Sequence, residues 1–415
     1  MTAKRRRLDR LQNLLILLLV CSALVLIGRT GLFQSTLGQE RGLAGVSVSD
    51  GTETTALSQS TPVALAAQAG GERYSLQYDQ EAVRACYTGG LEDLLAQALT
   101  TMGDAAQVSE QDWQAAVSQG ENWVFYDFLY NLSFSGKNQG QARCFLLTFH
   151  NGHANSLYYY VNQDGYYRAP VDSSGSPNSL LGGMQAVGSH FAFELEEVEL
   201  PSYQLVRDRP PNCPVYVTAN PLAGLDNDGR GALLERLSFN PKAVSIHETA
   251  DGTLIHEGAD SLRLQKNGKL IYHGAENGEA RYQALSVRDR DLQRKAEEIL
   301  SLVSVGQGQL CCQGVTSLGD QGTEVTFYYL LNGARVNLWD KDYGARFVFQ
   351  GNNLLSYEIF LRDYSQTEQR CAIPPLRQAA AAAQTMGQGG RELQVCYQDS
   401  GEEFIYAHWA VRETE

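Results

Sequence analysis

Residues 237–274 read LSFNPKAVSIHETADGTLIHEGADSLRLQKNGKLIYHG and contain four short apolar runs separated by turn sequences. Val, Ile and Leu alternate with polar residues in these runs, which is typical of strands with one buried face. Asp251-Gly252 and Asn267-Gly268 are dipeptides that favour tight hairpin turns. The stretch therefore predicts an antiparallel sheet built from consecutive hairpins.

Helices are predicted ahead of strands on both sides of this stretch. Apolar residues at helical spacing predict a helix around residues 91–99, and Ser109 with Asp112 resembles a capping box that opens a second helix. Aromatic and β-branched runs from residue 123 onward then predict strands. A second cycle begins with an amphipathic helix at residues 289–303. The predicted fold class is α+β, with two or three domains of antiparallel sheet that carry helices on one face.

Changes in composition divide the chain into six predicted segments. These are a basic tail at 1–10, an apolar span at 11–28, a flexible stalk at 29–71, an N-terminal α+β domain at 72–205, a middle β-rich domain at 206–285 and a C-terminal α+β domain at 286–415. The stalk is predicted because Ser, Thr, Gly, Gln and Ala dominate it without a sustained period.

The apolar span predicts the topology of the chain. Residues 11–28 contain no charge, and a helix of that length measures about 27 Å, close to the roughly 30 Å hydrocarbon core of a bilayer. Basic residues crowd residues 4–10, so the N-terminus is predicted to be cytoplasmic. A cleaved signal peptide shares these features, but no small-x-small cleavage site follows the span. We therefore predict a single-pass protein of the cell membrane whose bulk is extracytoplasmic.

The charge of the chain restricts its partners. The net charge is −14, and because residues 1–30 contribute +5, the remainder carries −19. A surface of this sign repels phosphate backbones, so nucleic acid is not a predicted partner. Seven cysteines follow the span, and an odd number leaves at least one free thiol. Structural thiols are the favoured interpretation, and a disulfide such as Cys371 with Cys396 stays open.

Motifs for catalysis and metal binding are incomplete or absent in this sequence. His247-Glu248 and His256-Glu257 each begin an HExx sequence, but Asp251 and Asp260 stand where a zinc protease needs His. Both near misses also lie in predicted strands and turns, whereas the motif needs a helix. We find no nucleophile-elbow, P-loop or related signature. The sequence therefore predicts no enzyme, no cofactor and no metal site.

Two other functions stay open. A stalked module that binds a peptide or another ligand would use an apolar groove ringed by Tyr126, Tyr130, Tyr158 and Tyr160. Tyrosine-rich strands packed on a helix explain these residues without a ligand. A hydrolase acting on the cell wall is the weaker alternative, and it requires a deep cleft with converging titratable groups.

The stretch quoted first, together with VTFYYLLNGARVNLW (residues 325–339) and FVFQGNNLLSYEIFLRDY (residues 347–364), resembles the YycH/YycI family. Length and the plan of one N-terminal helix with a large outer part are similar to its YycH member. The resemblance implies PepSY-like sheets, with residues 286–415 as a YycI/PepSY-like domain. It also implies a membrane-anchored, non-enzymatic regulator of the sensor histidine kinase that controls cell-wall metabolism in Gram-positive bacteria.

The resemblance implies that the partners are this kinase and a second single-helix regulator. Contact is then expected through the membrane helix, where close packing favours small side chains. Cys21, Ser22 and Ala23 form one small patch midway along the span. The predicted partner-contact residues are Leu14, Leu18, Cys21, Ser22, Ala23 and Val25.

Overall fold

The structure is a computed structural model that describes residues 61–412, apart from 136–138, 175–183, 185–188, 196–197, 208–210, 276–279, 304–307 and 340. The predicted tail, the predicted span at 11–28 and most of the predicted stalk lie outside these residues. Among the helices that are described, none has both the length and the apolarity needed to cross a membrane.

The described elements are strands and short helices. The strands are β1 (Ala64–Ala69), β2 (Glu72–Gln77), β3 (Ala106–Val108), β4 (Asn122–Ser135), β5 (Gln139–His150), β6 (His153–Val161), β7 (Gly165–Ser174), β8 (Ser189–Phe191), β9 (Leu205–Arg207), β10 (Pro214–Ala219), β11 (Ser245–Thr249), β12 (Gly252–Glu257), β13 (Asp260–Gln265), β14 (Lys269–His273), β15 (Gln309–Ser317), β16 (Thr323–Leu331), β17 (Ala334–Leu338), β18 (Ala345–Gln350), β19 (Asn353–Phe360), β20 (Asp363–Arg370), β21 (Glu392–Asp399), β22 (Phe404–Ile405) and β23 (Ala407–Arg412). The α-helices are α1 (Gln80–Cys86), α2 (Glu92–Thr101), α3 (Glu110–Gln119), α4 (Asn227–Arg236), α5 (Asp289–Val303) and α6 (Leu376–Thr385).

The first large sheet has seven strands in the order β2-β1-β4-β5-β6-β7-β3, with antiparallel pairing throughout. Asn151 and Gly152 both have positive φ and form the hairpin turn that joins β5 to β6. The predicted capping box is confirmed, because Ser109 and Asp112 exchange hydrogen bonds at the start of α3.

Helices cover both faces of this sheet. Leu65 and Ala67 of β1 pack in one core with α1 and α2, whereas Ala64 and Ala66 pack in another core with Trp113 of α3. The prediction of helices on one face is therefore wrong for this sheet. The physical reason is that the central strands are apolar at consecutive positions, so each of their two faces requires a cover.

Strand β1 also corrects the predicted stalk. Residues 64–69 read ALAAQA and are almost fully buried, paired with β2 on one side and β4 on the other. The stalk prediction is wrong for these residues. A run of alanines is compatible with a linker by composition, but small side chains also suit a central strand covered closely on both faces.

The second large sheet follows the order β11-β12-β13-β14-β19-β18-β16-β17-β21-β23, and β15 pairs with β16. The residues quoted at the outset form β11 to β14, as predicted. The pairing is antiparallel except between β17 and β21, which are parallel. Helices α4 and α5 pack on one face, and α6 covers Leu393 of β21. The sheet thus agrees with the predicted antiparallel α+β class.

Strand pairing crosses the predicted domain boundaries. Strand β14 pairs with β19, so ranges 206–285 and 286–415 contribute to one sheet. A small sheet in the order β20-β10-β22 connects the same two ranges again. The division into three domains stays a prediction, and the pairing places its last two ranges side by side.

Candidate functional site: a polar cleft between the two large sheets

The structure does not describe the predicted site. Residues Leu14, Leu18, Cys21, Ser22, Ala23 and Val25 all precede residue 61 and lie outside the described residues. The described part contains a cleft of about 900 Å³. We define the cleft by its walls, which are β4, β5 and the turn after β6 of the first large sheet and β15 to β17, β21 and β23 of the second.

Strand alternation gives the second wall its polar character. Leu393, Val395 and Tyr397 of β21 face the apolar cores, so the residues between them face the other way. Glu392, Gln394, Cys396 and Gln398 consequently form a row that lines the cleft. In the parallel register, Arg335 of β17 lies opposite Cys396, and Asn337 lies opposite Gln398. The face of this sheet on which none of the described helices packs is therefore the face that forms the cleft.

A bulge shapes the first wall. Pairing of β4 with β5 joins Asp127 to Cys144 and Leu132 to Ala142, so residues 128–131 lie opposite the single residue Arg143. The backbone N–H of Leu129, which has a positive φ of 73°, donates to the Asp127 carboxylate at 2.8 Å. The bulge directs Tyr130 into the cleft and brings Asp127 beside Arg143.

A buried charge cluster of Arg143, Asp127 and Glu392 joins the two walls. Arg143 is 1% exposed and donates from two guanidinium nitrogens to the two carboxylate oxygens of Glu392. Its Nε also donates to Asp127 at 3.3 Å, and one nitrogen donates to the Tyr203 hydroxyl at 3.1 Å. Buried charges of this kind persist only when they are paired and hydrogen-bonded. The cluster thus fixes β5 of one sheet against β21 of the other.

The carboxyl of Glu392 is held ionised. Burial by itself opposes ionisation, but the charge and hydrogen bonds of Arg143, with Arg412 and Gln394 beside them, hold the pKa of Glu392 below its usual value. Arg143 in turn keeps its proton, since the two carboxylates raise its pKa despite burial. The cluster is therefore a fixed ion pair at neutral pH, unlike a matched acid and base.

Two further arginines flank Tyr130 at the rim of the cluster. The guanidinium of Arg412 lies 4.3 Å from the centre of the Tyr130 ring, and that of Arg335 lies 5.6 Å from it. Arg412 also donates to the Leu129 carbonyl at 2.6 Å. These contacts add a second link between the bulge of β4 and the second sheet.

Cysteine chemistry is suppressed in the cleft. The sulfur of Cys396 lies 3.6 Å from Nε2 of His408, which resembles a Cys–His pair. Burial nevertheless raises the pKa of the Cys396 thiol to about 11, so the thiol stays protonated at neutral pH and is a poor nucleophile. The seven cysteines of the described part are free, and Cys371 and Cys396 are not bridged.

The other residues singled out from the sequence lie elsewhere. His247 and His256 face each other across β11 and β12 with ring centres 6.1 Å apart, and Asp260 instead accepts from Arg281. Within the described residues, no three His, Cys, Asp or Glu side chains are grouped so that they could hold a metal ion.

The four tyrosines proposed for a ligand groove do not share one. Tyr126 packs with α1 and α2, and Tyr158 and Tyr160 pack with the core on the opposite face. Only Tyr130 lines the cleft. The alternative of a tyrosine-ringed apolar groove is therefore wrong, and the tyrosines pack in the cores, as the favoured interpretation has it. In register, Tyr126 lies opposite Phe145 and Phe145 opposite Tyr159, and Tyr159 faces away from Tyr158 and Tyr160.

Comparison with known proteins identifies a solved structure with a similar fold. No protein-family profile and no curated protein sequence matches the chain. Among solved structures, the chain is similar to the crystal structure of YycH from Bacillus subtilis, with a TM-score of 0.54 and 11% identity over 87% of this chain and 95% of that one. The fold is YycH-like. The resemblance stated from the residues is thereby confirmed at the level of the fold.

Sequence reasoning missed the cleft because its residues are far apart in the chain. Arg143 and Glu392 are 249 positions apart, and neither belongs to a motif. One signal was present in the sequence 392–398, where polar residues 392, 394 and 398 and a cysteine at 396 alternate with apolar residues 393, 395 and 397. That alternation predicts one polar face but does not reveal that a second sheet lies opposite it.

Proposed function

We propose that this chain is a non-catalytic, membrane-anchored extracytoplasmic regulator of a two-component sensor histidine kinase that controls cell-wall metabolism. The YycH-like fold, matched over 87% of this chain, is the observation that supports the proposal. The apolar run at residues 11–28 supports the anchored topology, with the N-terminus in the cytoplasm. The proposed partners are the kinase and a second single-helix regulator.

In this proposal, the membrane helix carries the contact with the kinase. Helices associate in lipid through close packing and polar contacts, and Cys21, Ser22 and Ala23 provide small side chains midway along the span. To act as a regulator, the chain must bind two states of the kinase with different free energies. A usable coupling is on the order of 1–3 kcal/mol, which corresponds to about a 5–150-fold change in the equilibrium.

Replacement of the span tests this proposal. The full chain is produced in cells together with the kinase and a reporter of its output, with residues 11–28 replaced by a polyleucine span. We expect the regulatory effect to be lost while the outer part stays folded, as checked by limited proteolysis of membranes. Unchanged reporter output in a correctly inserted variant would falsify contact through the helix.

A finer variant locates the contact. The triple substitution Cys21→Leu, Ser22→Leu and Ala23→Leu fills the small patch and is expected to reduce regulation at least fivefold. The matched control replaces Leu15 and Leu17 by Ile, which preserves volume and hydrophobicity. Equal effects of the two variants would show that the span is an anchor without a specific contact.

A further inference from the structure

The cleft is lined by an unusual number of carboxamides. Eight of its 23 lining residues are Asn or Gln, namely Asn131, Gln141, Asn162, Gln163, Gln313, Asn337, Gln394 and Gln398. Each carboxamide offers two donors and one acceptor without charge, and thus complements groups that both donate and accept, such as hydroxyls and amides. They come from both walls, so a ligand in the cleft is reached from two sides.

The charges around the cleft balance, although the whole protein is strongly acidic. Three arginines and two carboxylates line it, namely Arg143, Arg335, Arg412, Asp342 and Glu392. A third carboxylate, Asp127, lies outside the lining and pairs with Arg143. Each arginine already has a contact, since Arg143 and Arg412 contact Glu392 and Arg335 donates from one guanidinium nitrogen to the Asp342 carbonyl. Among the buried nitrogens of these guanidinium groups in the described part, only the Nε of Arg335 lacks a partner. The lining therefore favours an uncharged ligand over an anion.

Several buried polar atoms of the cleft lack a partner. Tyr130 is 5% exposed, and its hydroxyl has no hydrogen-bond partner among the described residues. The same holds for Oε1 of Gln313 and Nε of Arg335, which also line the cleft. Unpaired buried polar groups are costly, and a ligand that supplies the missing partners recovers that cost.

We infer that the cleft binds a neutral oligosaccharide. Its volume of about 900 Å³ falls in the range of ligand sites. A sugar supplies hydroxyls for the carboxamides and an apolar ring face for Trp339, which is 37% exposed at the cleft. A peptide is disfavoured because apolar pockets for its side chains are scarce, with Val315, Leu338 and Val411 as the main aliphatic lining. This inference is independent of the proposed kinase regulation.

Calorimetry on the full chain tests the inference. The protein is purified in a detergent without a sugar headgroup and titrated with chitotetraose, an uncharged tetrasaccharide that carries hydroxyl and acetamido groups. We expect saturable binding of one oligosaccharide. Two variants address the lining, and neither removes a hydrogen bond within the described part. Tyr130→Phe deletes the unpartnered hydroxyl, and Asn337→Leu deletes a carboxamide in register with Gln398.

Each variant is expected to weaken binding by about tenfold, the effect of one lost hydrogen bond to a buried group. Gln369→Met is the matched control, because Gln369 is an exposed carboxamide of β20 outside the cleft, and it should leave affinity unchanged. A native thermal midpoint for each variant shows that the fold is intact.

Three results would overturn the inference. The first is no heat of binding with 10 mM chitotetraose, and the second is binding that Tyr130→Phe and Asn337→Leu leave unchanged. The third is binding of an uncharged Gly-Ser hexapeptide at the same residues without binding of the sugar, which assigns the cleft to a peptide. Unchanged kinase output in the polyleucine variant, with sugar binding intact, would contradict the proposed function alone.

Discussion

The two large sheets differ in how their faces are covered. In the first sheet, α1 and α2 cover one face and α3 covers the other, so apolar residues occupy both sides of β1 and β4. In the second sheet, helices cover one face, and the opposite face ends in the polar row of β21 that lines the cleft. The difference shows that the face of the second sheet on which no described helix packs is the one that meets the strands of the first sheet, at the charge cluster and the cleft.

Breaking the charge cluster is expected to have the largest effect. Arg143→Met leaves Asp127 and Glu392 buried without their counterion, so the free energy of unfolding should fall by about 3–5 kcal/mol. Urea denaturation followed by circular dichroism measures the change. Arg263→Met is the control, because the Arg263–Asp251 pair is exposed and its atoms are 3.8 Å apart. That control should change stability by less than about 1 kcal/mol. Similar losses in both variants would show that the cluster does not join the sheets.

A pair of substitutions compares the covered face with the open face. Val117→Ala in α3 removes two buried methyl-sized groups above the first sheet, and we expect a loss of about 2 kcal/mol. Gln398→Ala on the open face of β21 should change the free energy of unfolding by less than about 0.5 kcal/mol. Thermal denaturation of both variants gives the comparison. A Gln398→Ala variant that is less stable than Val117→Ala would contradict the expected difference between the two faces.

The pH dependence of stability reports on the cluster. The folded-state pKa of Glu392 is lowered from an ordinary value of 4.5, so its contribution is complete above that value and is lost as pH falls through the folded-state pKa. We expect the free energy of unfolding to decrease below about pH 4.5, with at most roughly 1.4 kcal/mol per pH unit from this one group. Glu392→Gln should flatten the dependence in that range. An identical pH profile in the variant would assign acid unfolding to other carboxylates.

The smallest expected effect concerns the cap of α3. Ser109→Ala removes the side chain that accepts from the Asp112 N–H at 3.2 Å, and about 1 kcal/mol should be lost. Because α3 covers one face of the first sheet, amide exchange should rise in α3 before it rises in β17 or β21. Ser301→Ala is a control outside this cap, in the last turn of α5. An equal rise in amide exchange across both sheets would contradict separate covering of the two faces.

Sequence patterns predicted local structure better than the site. The alternation and turns of residues 237–274 predict β11 to β14 because each strand pairs with its neighbour in sequence. The cap of α3 and the apolar spacing of α5 are equally local. Strand β1 was not predicted, because ALAAQA does not alternate between polar and apolar residues. Its burial also depends on β4, which lies about sixty residues later in the chain. The cluster of Arg143 with Glu392 could not be predicted, since the bulge at residues 128–131 and the facing sheet depend on the completed tertiary structure.

The long separation between Arg143 and Glu392 has a consequence for biosynthesis. A ribosome produces the chain from its N-terminus, so β4 and β5 exist well before β21 does. Until residue 392 emerges, Arg143 lacks its main counterion, and the N-terminal half cannot adopt its final form around it. Deletion of residues 391–415 removes Glu392, and we therefore expect it to disturb the structure around Arg143, in the first half of the chain. Folding of the described part is complete only when β21 and β23 are in place.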